Sequence, residues 1–393
     1  MSWHTKTRFT SPSPFRGGAS LLITVAFCLS ICTHARADDW PLVRGDAVGS
    51  GVANTTLPDQ LEILWTYRAG NDAGFDATPV VADGVVYIGD NAGRFHAVAA
   101  GTPVWTKHFE DTSFAAGAAI EKDRLYVGDL NGVVRCLSNS DGTLHWESEP
   151  LDGEIYAGPT PHGDDLLVTC EAGTLTWLNA ADGKPRQEFR IEAPLRCTPT
   201  ISAGRVMLSG CDSLLHIIDV QTAKEIATAK IDAPTGATAA MRGDRVYFGT
   251  EGGTFFAINV PTSGEPEVAW HYRDPRRGQP IRSAAAVNDK VVVFGTHGKA
   301  IYGLDAASGD PKWNIPTRSR IESSPVIAGH RALAATTGGK LYLIDTNSGD
   351  VIWEHDAGGG FTGSPAIVDG HIYVGNTDGT LYCFGSKSNK KKN

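Results

Sequence analysis

Residues 304–313 read Leu-Asp-Ala-Ala-Ser-Gly-Asp-Pro-Lys-Trp, and residues 343–353 repeat the pattern as Leu-Ile-Asp-Thr-Asn-Ser-Gly-Asp-Val-Ile-Trp. Upstream of the two copies, Ser-Ser-Pro-Val-Ile at 323–327 corresponds to Gly-Ser-Pro-Ala-Ile at 363–367. Repeats of about 20–50 residues are typical of units that bury their apolar faces only against neighbouring copies. The spacing of 40 residues between these copies therefore indicates a repeat protein.

With Pro325 as the reference position, the same place recurs along the chain at intervals of 39 to 46 residues. The eight reference positions are Pro79, Ala118, Pro159, Pro199, Ala239, Ala285, Pro325 and Pro365. Within each unit, apolar runs alternate with Asp-Gly or Gly turns, which predicts successive antiparallel hairpins. Four-stranded units of this length are typical of propeller blades. The sequence predicts an all-β fold, an eight-bladed β-propeller of four-stranded antiparallel blades.

The last unit lacks a fourth strand, because it passes from Phe384 directly into a basic tail at residues 386–393. Residues 61–67 have the apolar alternation of an outer strand and contain Trp65, but no three strands precede them. Pairing this strand with the last blade would close the ring and remove two open sheet edges. We therefore predict that the propeller spans residues 61–385 and that its N-terminal strand completes blade eight.

Two positions recur inside the units. Fourteen residues after the reference position, six units have Gly, which suits a turn with positive φ; the other two have Ser213 and Lys299, where Gly298 is a candidate substitute. The fourth strand carries Trp in most units, and Gln187 and Ala227 take its place in units three and four. We predict that each Trp is largely buried between blades. The six are Trp65, Trp105, Trp146, Trp270, Trp313 and Trp353.

The first 37 residues differ from the repeats. Basic residues precede the uncharged stretch 19–33, and Ala35-Arg36-Ala37 offers a small-x-small cleavage site, as in a secretory signal peptide. An uncleaved anchor is the alternative. Cleavage would leave a lead-in at residues 38–60, no transmembrane segment in the mature chain, and an exported protein in the periplasm or the extracellular space. It would also leave 31 Lys and Arg against 44 Asp and Glu, a net charge of −13 that disfavours nucleic-acid binding.

Five cysteines follow residue 37, an odd number. Cys136 and Cys383 both lie 18 residues after their reference positions, in a slot that is apolar in the other units, so we predict buried thiols. Cys170 and Cys211 lie in adjacent units at nearly equivalent places. A disulfide between Cys170 and Cys211 is geometrically possible, and the sequence leaves it open.

The pattern Asp-x-x-x-Gly-x-x-x-Trp at 305–313 and 345–353, after an apolar strand, resembles the repeat of pyrroloquinoline quinone (PQQ) quinoproteins and their non-enzymatic relatives. Those relatives include the propeller component of the outer-membrane barrel assembly machine. The resemblance covers residues 61–384 and implies the fold. It implies no particular activity, because the repeat Trp and Gly residues are structural throughout the family.

An enzyme would require residues that this sequence lacks. The resemblance implies that a quinoprotein dehydrogenase holds PQQ and calcium with an adjacent Cys-Cys pair, an Asp base and Glu or Asn ligands. No adjacent cysteines occur here, and no Cys-x-x-Cys-His, Gly-x-Ser-x-Gly or His-Glu-x-x-His motif is present. We therefore predict no catalytic, cofactor-binding or metal-binding residues. A PQQ-dependent oxidoreductase with an unrecognised cofactor site is the alternative.

The channel mouth is the candidate binding face, because the residue three places before each reference position would begin the innermost strand there. These residues are Asp76, Ala115, Tyr156, Arg196, Gly236, Arg282, Glu322 and Thr362. The long segment 272–280 of unit five adds Arg276 and Arg277 to the same face, where guanidinium groups would suit an anionic partner. Alternatively, Asp76 and Glu322 would neutralise the arginines internally. The sequence predicts a scaffold that binds a protein or a small anionic ligand at this mouth.

Overall fold

Short apolar runs separated by tight turns form 33 β-strands in the computed structural model, which describes residues 39–70, 73–276 and 278–386. No helix occurs among these residues. Strands β1 and β2 precede the repeats at Val52–Ala53 and Glu62–Arg68. The strands of blades one to four are β3 Val80–Ala82, β4 Val85–Gly89, β5 Arg94–Ala99, β6 Thr102–His108, β7 Ala119–Glu121, β8 Arg124–Gly128, β9 Val134–Ser138, β10 Leu144–Glu147, β11 Thr160–His162, β12 Asp165–Cys170, β13 Thr174–Asn179, β14 Pro185–Arg190, β15 Thr200–Ser202, β16 Arg205–Ser209, β17 Leu214–Asp219 and β18 Glu225–Lys230.

Blades five to eight repeat the arrangement. Their strands are β19 Ala240–Arg242, β20 Arg245–Gly249, β21 Thr254–Asn259, β22 Glu267–Arg273, β23 Ala286–Val287, β24 Val291–Thr296, β25 Ala300–Asp305, β26 Pro311–Pro316, β27 Val326–Ala328, β28 Arg331–Ala335, β29 Lys340–Asp345, β30 Val351–Asp356, β31 Ala366–Val368, β32 His371–Gly375 and β33 Thr380–Gly385. Each blade is an antiparallel meander, and the predicted eight-bladed propeller is confirmed.

The ring closes as predicted, because β2 is the fourth strand of blade eight. It pairs antiparallel with β33, and Trp65 lies opposite Cys383. Strand β1 adds to the inner edge of blade seven by parallel pairing with β27. The closure leaves blade eight with the same four strands as the other blades, although they come from opposite ends of the propeller sequence.

The inner strands are shorter than the sequence suggested. They begin about one residue after each reference position, as β27 does after Pro325, and not three residues before it. The predicted channel-mouth residues therefore precede the inner strands and lie in the segments that connect one blade to the next. This correction makes them loop residues, whose side chains are free to pair across blades.

The turn between the second and third strands has the expected backbone conformation. Gly93 has a φ of 75° and Gly339 a φ of 86°. Ser213 and Lys299 adopt the same left-handed conformation, with φ values of 67° and 60°, so Gly298 does not take over this role. The turn geometry is imposed by the strand pairing on either side, and non-glycine residues accept its strain.

The prediction that all six fourth-strand tryptophans are largely buried is fully met only by Trp313. Trp313 is 9% exposed, whereas the other five are half-buried, since the fourth strand is the outer edge of each blade. Each of Trp105, Trp146, Trp270 and Trp313 covers the turn between the third and fourth strands of the next blade. Their Nε1 groups donate to backbone carbonyls of that blade, at 2.9 Å for Trp313 to Thr346 and 3.1 Å for Trp146 to Ala180. The tryptophans therefore connect consecutive blades.

The size of each fourth-strand residue complements that of its cross-strand neighbour. Trp105 lies opposite Ala97 and Trp313 opposite Gly303. In blade three the order is reversed, since Gln187 lies opposite Trp177. Trp177 is fully buried and donates to Val220 O at 2.9 Å, so the seam between blades three and four keeps an indole, which comes from the third strand instead of the fourth.

The lead-in does not remain outside the ring. It runs along the inner strands, and we call residues 40–53 the channel segment. In six blades, the amide two residues after the reference position donates to a carbonyl of this segment at 2.8–2.9 Å. The pairs are Val81 to Trp40, Ile120 to Pro41, Ile201 to Ala47, Met241 to Val48, Val287 to Ser50 and Ile327 to Gly51. Blade three has Pro161 at this place, which has no amide hydrogen to donate.

Arg44 anchors the channel segment at its centre. The guanidinium is buried and donates through Nη2 to the carbonyls of Ala285 at 3.0 Å and Pro325 at 2.7 Å. Burial lowers the pKa of Arg44 to about 10, although Asp46 acts in the opposite direction. Gly51 faces the Arg44 guanidinium, and its φ of 65° and the close approach leave no space for a side chain there. A cavity of only about 10 Å³ remains beside the segment.

The five cysteines of the propeller are free thiols, so the possible Cys170–Cys211 disulfide is not formed. Cys136 and Cys383 are buried in the slot that the sequence indicated. Burial raises the pKa of Cys136 to about 11 and that of Cys383 to about 12. Both side chains act as small apolar residues in the blade core.

Candidate functional site

Those predicted binding residues that the structure describes lie on one face of the propeller, which we call the ring face. It consists of the residues three places before each reference position and the turns between second and third strands. These two parts are joined by backbone hydrogen bonds, for example from Glu171 N to Glu154 O and from Glu251 N to Pro234 O, both 2.9 Å. The connecting segments are therefore held against the turns, which positions their side chains.

The first group on the ring face spans blades three and four. Arg196 forms a two-pronged salt bridge with Glu171, from Nε to Oε2 at 2.6 Å and from Nη2 to Oε1 at 2.5 Å. Its guanidinium also lies 5.3 Å from the ring centre of Tyr156, a cation–π distance. The Tyr156 hydroxyl donates to Glu154 at 3.0 Å, and its side chain is 38% exposed. This group presents an aromatic ring beside paired charges.

The second group spans blades five to seven. Arg282 pairs with Glu251 through Nε at 2.8 Å and Nη2 at 3.2 Å. Glu322 contacts Arg320 Nε at 3.1 Å and His297 Nε2 at 3.4 Å. The group contains two arginines and two glutamates, so their four charges cancel.

The remaining predicted residues are less connected. Asp76 accepts a hydrogen bond from the Thr362 hydroxyl at 2.8 Å, which joins blades one and eight. Arg276 is exposed, and its backbone amide donates to Asp274 at 2.7 Å. Its loop packs against Gly253 in the ring-face turn of blade five, so Arg276 is on the predicted face. Arg277 lies outside the described residues.

The ring-face arginines are neutralised internally, but not by Asp76 and Glu322 as the sequence hypothesis had it. Asp76 and Glu322 have other partners, and the carboxylates on Arg196 and Arg282 come from Glu171 and Glu251. Sequence reasoning missed both glutamates. A signal was available, because each lies twelve residues after the reference position of the blade preceding its arginine, and His297 occupies the same place in blade six. The ring is a series of pairs between neighbouring blades.

The pairing gives the ring face a pH-sensitive histidine. Burial lowers the pKa of His297, and the positive charges of Arg282 and Arg320 lower it further, against the opposite effect of Glu322. An imidazole in the unfolded chain has a pKa of about 6.5. The unfolded state therefore takes up the proton first as the pH falls, so the contribution of His297 to stability decreases below about pH 6.5.

We expect His297→Gln to reduce the loss of thermal stability between neutral and mildly acidic pH. The variant cannot take up the proton, so its melting temperature should fall less than that of the parent over this interval. Melting curves of both proteins at matched ionic strength measure the difference. An equal or steeper fall in the variant would contradict the assignment. His371→Gln is the control, because His371 is a partly exposed histidine at the start of β32 and is not one of the ring-face residues.

The donor set does not fit calcium and PQQ. Among residues 39–70, 73–276 and 278–386, no group of three or more His, Cys, Asp or Glu side chains is arranged to hold a metal ion. The ring-face carboxylates Glu171, Glu251 and Glu322 are each held by an arginine: Arg196, Arg282 and Arg320, respectively. The lead-in runs along the inner strands behind them, and one cavity beside it has a volume of about 10 Å³. The expectation that no cofactor binds stays a prediction.

The described part of the chain contains no helix that is long and apolar enough to cross a membrane.

Eight meandering blades with tryptophan contacts between them define a β-propeller of PQQ-like repeats. A family model described as Outer membrane protein assembly factor BamB matches residues 92–240 and 193–392, which together cover most of the sequence. The chain belongs to this family.

Individual relatives carry the same name. A BamB from Shewanella oneidensis is 23% identical over 333 residues, which cover 76% of this chain and 80% of that protein. A BamB from Salmonella typhimurium is 25% identical, and there the aligned region covers 45% of this chain and 47% of the relative. The match thus spans about half the length of some curated relatives and most of others.

Solved structures show the same fold. The crystal structure of BamB from Moraxella catarrhalis superposes with a TM-score of 0.72 at 16% identity, covering 84% of this chain and 98% of that one. The quinohemoprotein alcohol dehydrogenase from Comamonas testosteroni gives a TM-score of 0.73 at 14% identity, covering 91% and 82%. At these identities the likeness shows the fold and does not distinguish a scaffold from an enzyme.

Proposed function

We propose that this protein is an exported, non-catalytic propeller that holds a protein partner on its ring face during assembly of the outer membrane. The observation that carries the proposal is the ring face itself, where charged and aromatic side chains are fixed by pairs between neighbouring blades. The family membership supports the assembly role, since its model is described as an outer membrane protein assembly factor. Removal of residues 1–37 as a signal peptide, and a periplasmic location, belong to the proposal.

The ring face is suited to binding because its side chains are oriented before a partner arrives. Arg196 and Arg282 are each held in a two-pronged salt bridge, so little side-chain entropy is lost on docking. Tyr156 offers an exposed aromatic ring of the kind enriched in interfaces. Since both arginines already hold carboxylates, an anionic ligand would have to compete with Glu171 and Glu251. A protein surface with both charges suits the face better than a small free anion does.

Arg276 and Arg277 supply the basic part of the proposed interface. On a mature chain with a formal net charge of −13, a basic loop would attract an acidic segment of a partner. Such attraction acts mainly on the association rate and weakens as salt screens it. The proposed partner surface is therefore acidic where it meets this loop.

The proposal is tested by placing a photo-crosslinking amino acid at position 156 or 276 in living cells. We expect both positions to give the same crosslinked partner, identified by mass spectrometry as a component of the outer-membrane assembly machinery. The control position is Asn347, an exposed residue in the turn between the third and fourth strands of blade seven, which should give no such product. Equal crosslinking at position 347, or none at positions 156 and 276, would refute the ring face as the interface.

The basic loop makes a separate contribution that can be measured in the same assay. We expect the double variant Arg276→Ser, Arg277→Ser to reduce crosslinking from position 156 by roughly 2- to 10-fold at low salt and less at moderate salt. Lys184→Ser is the matched control, since Lys184 is an exposed basic residue in a turn between third and fourth strands. An unchanged yield in the double variant would contradict the role of the loop.

The alternative function, a PQQ-dependent oxidoreductase, is tested by adding PQQ and calcium to the purified protein. Absorbance changes and a rise in melting temperature that saturate with PQQ would support the alternative and overturn the non-catalytic proposal. We expect neither, because the ring-face carboxylates are already paired and the lead-in lies along the inner strands of six blades.

A further inference from the structure

The seam between blades four and five differs from the others because no indole occupies it. Ala227 stands where most fourth strands have Trp, and its cross-strand neighbour is Ile217. Blade three compensates for Gln187 with Trp177, but blade four has no such exchange. The combined side-chain volume of this pair is therefore smaller than that of the corresponding pairs.

The missing indole leaves a defined space. At the seam between blades five and six, Trp270 Nε1 donates to Ala306 O at 3.3 Å, beside Arg245 Nη1, which donates to the same carbonyl. Between blades four and five the equivalent carbonyl belongs to Val260. It accepts from Arg205 Nη1 at 3.2 Å, and no tryptophan lies beside this guanidinium. Both seams have a guanidinium at the equivalent position, but the seam between blades four and five lacks the aromatic ring beside it.

A cavity of about 140 Å³ occupies this place, and we call it the seam pocket. Its walls are mostly apolar, and they include Ile217, Ile226, Ala227, Val260, Pro261 and Pro266. Ile226 is 55% exposed at the rim, so the pocket is open to solvent. A cavity of about 150 Å³ with apolar walls holds one benzene molecule. The seam pocket therefore has room for a single aromatic ring.

Arg205 gives the pocket a polar, positively charged wall. Its side chain is buried, with 8% of the residue exposed, and Nη1 donates to the carbonyls of Val260 and Pro261. Nε and Nη2 have no hydrogen-bond partner among the described residues. At the same register position in blade seven, Arg331 pairs with Asp59 and Asp345. A buried guanidinium without an acceptor on two nitrogens is destabilising, and an anion beside it would relieve this cost.

We propose that the seam pocket binds a small aromatic monocarboxylate. The ring takes the space that an indole fills at the other seams and packs against the apolar walls of the seam pocket. The carboxylate points toward the Arg205 guanidinium and balances its charge. The site lies on the side of the blades, away from the ring face, and does not depend on the proposed function.

Benzoate is the probe, with benzyl alcohol and acetate as its neutral and non-aromatic counterparts. We expect benzoate to bind the purified exported protein with a dissociation constant of about 0.1–1 mM, as suits so small a ligand. Benzyl alcohol should bind about 10-fold more weakly and acetate not at all below about 10 mM. Saturation-transfer NMR on the ligand signals measures all three.

Ala227→Leu fills the pocket and should abolish benzoate binding without unfolding the protein, because residue 227 is on an outer strand. Gln187→Leu makes the matching change in blade three and should leave binding unchanged. Arg205→Met should weaken benzoate at least about 10-fold and leave benzyl alcohol unaffected, which separates the charge from the cavity. Equal benzoate binding in Ala227→Leu, or acetate binding as strong as that of benzoate, would overturn the proposal. Melting curves verify that each variant is folded. If Ala227→Leu fails to fold, Ile226→Trp takes its place, because an indole at the rim should close the pocket and abolish benzoate binding.

Discussion

Replacing Trp313 with Ala is expected to lower the free energy of unfolding by about 3–5 kcal/mol. Trp313 is the most buried tryptophan of the fourth strands, and it packs on Gly303 within its blade and on Gly349 of the next. The substitution removes this packing and leaves Thr346 O without its indole donor. Equilibrium unfolding in urea, followed by the fluorescence of the remaining tryptophans, measures the loss.

Trp353→Ala is the comparison that isolates the contact between blades. Trp353 packs on His355 and Phe384, but blade eight has no turn between a third and a fourth strand, because its fourth strand comes from β2. We expect a loss about 1–2 kcal/mol smaller than for Trp313, since neither the covering turn nor a carbonyl acceptor is present. Equal losses in the two variants would mean that the turn contributes nothing.

The repeat predicted most of the fold because its signal is carried by side chains at fixed intervals. Apolar strands, turn glycines and the terminal Trp recur with the period, and each reports a local backbone requirement. The sequence also contains a signal that Trp177 replaces the missing fourth-strand indole of blade three, because a large residue in the apolar slot coincides with the absence of Trp at position 187. The burial of the tryptophans was overestimated because the pattern does not reveal that the fourth strand is the exposed edge of every blade.

The pairs on the ring face were harder to predict, because they join residues of different blades. The interval from Glu171 to Arg196 is 25 residues and that from Glu251 to Arg282 is 31, since the connection in blade five is longer. A fixed spacing therefore does not identify them. They become visible only when each position is numbered from the reference position of its own blade.

The channel segment was not predicted at all, and the reason is physical. It offers backbone carbonyls to the inner strands, and a carbonyl is present in every residue, so no side-chain pattern marks the contact. Side chains such as Arg44 do mark the path, but the sequence alone does not connect Arg44 with carbonyls about 240–280 residues away. The segment nevertheless accounts for how six inner strands satisfy their amides.

Deletion of residues 40–57 is expected to lower the free energy of unfolding by several kcal/mol, because it removes at least seven backbone hydrogen bonds to the inner strands, each worth about 0.5–1.5 kcal/mol. The deletion also exposes apolar surface that Trp40 and Leu57 now cover. Chemical denaturation measures the total loss. Hydrogen exchange locates it, since the amides of Val81, Met241 and Ile327 should lose protection first.

The pattern of exchange distinguishes a structural channel segment from general instability. Amides that face the segment should exchange faster in the deletion variant than in the parent. Amides of the middle strands, such as that of Val127, should exchange at nearly the same rate in both proteins. Removal of residues 386–393 is the control, because these residues follow the last strand, β33, in the sequence. If the deletion variant were as stable as the parent, or if its middle strands lost protection equally, the inner strands would not depend on the segment. The channel segment would then bind to a ring that is already stable without it, and would not contribute to the stability of the propeller.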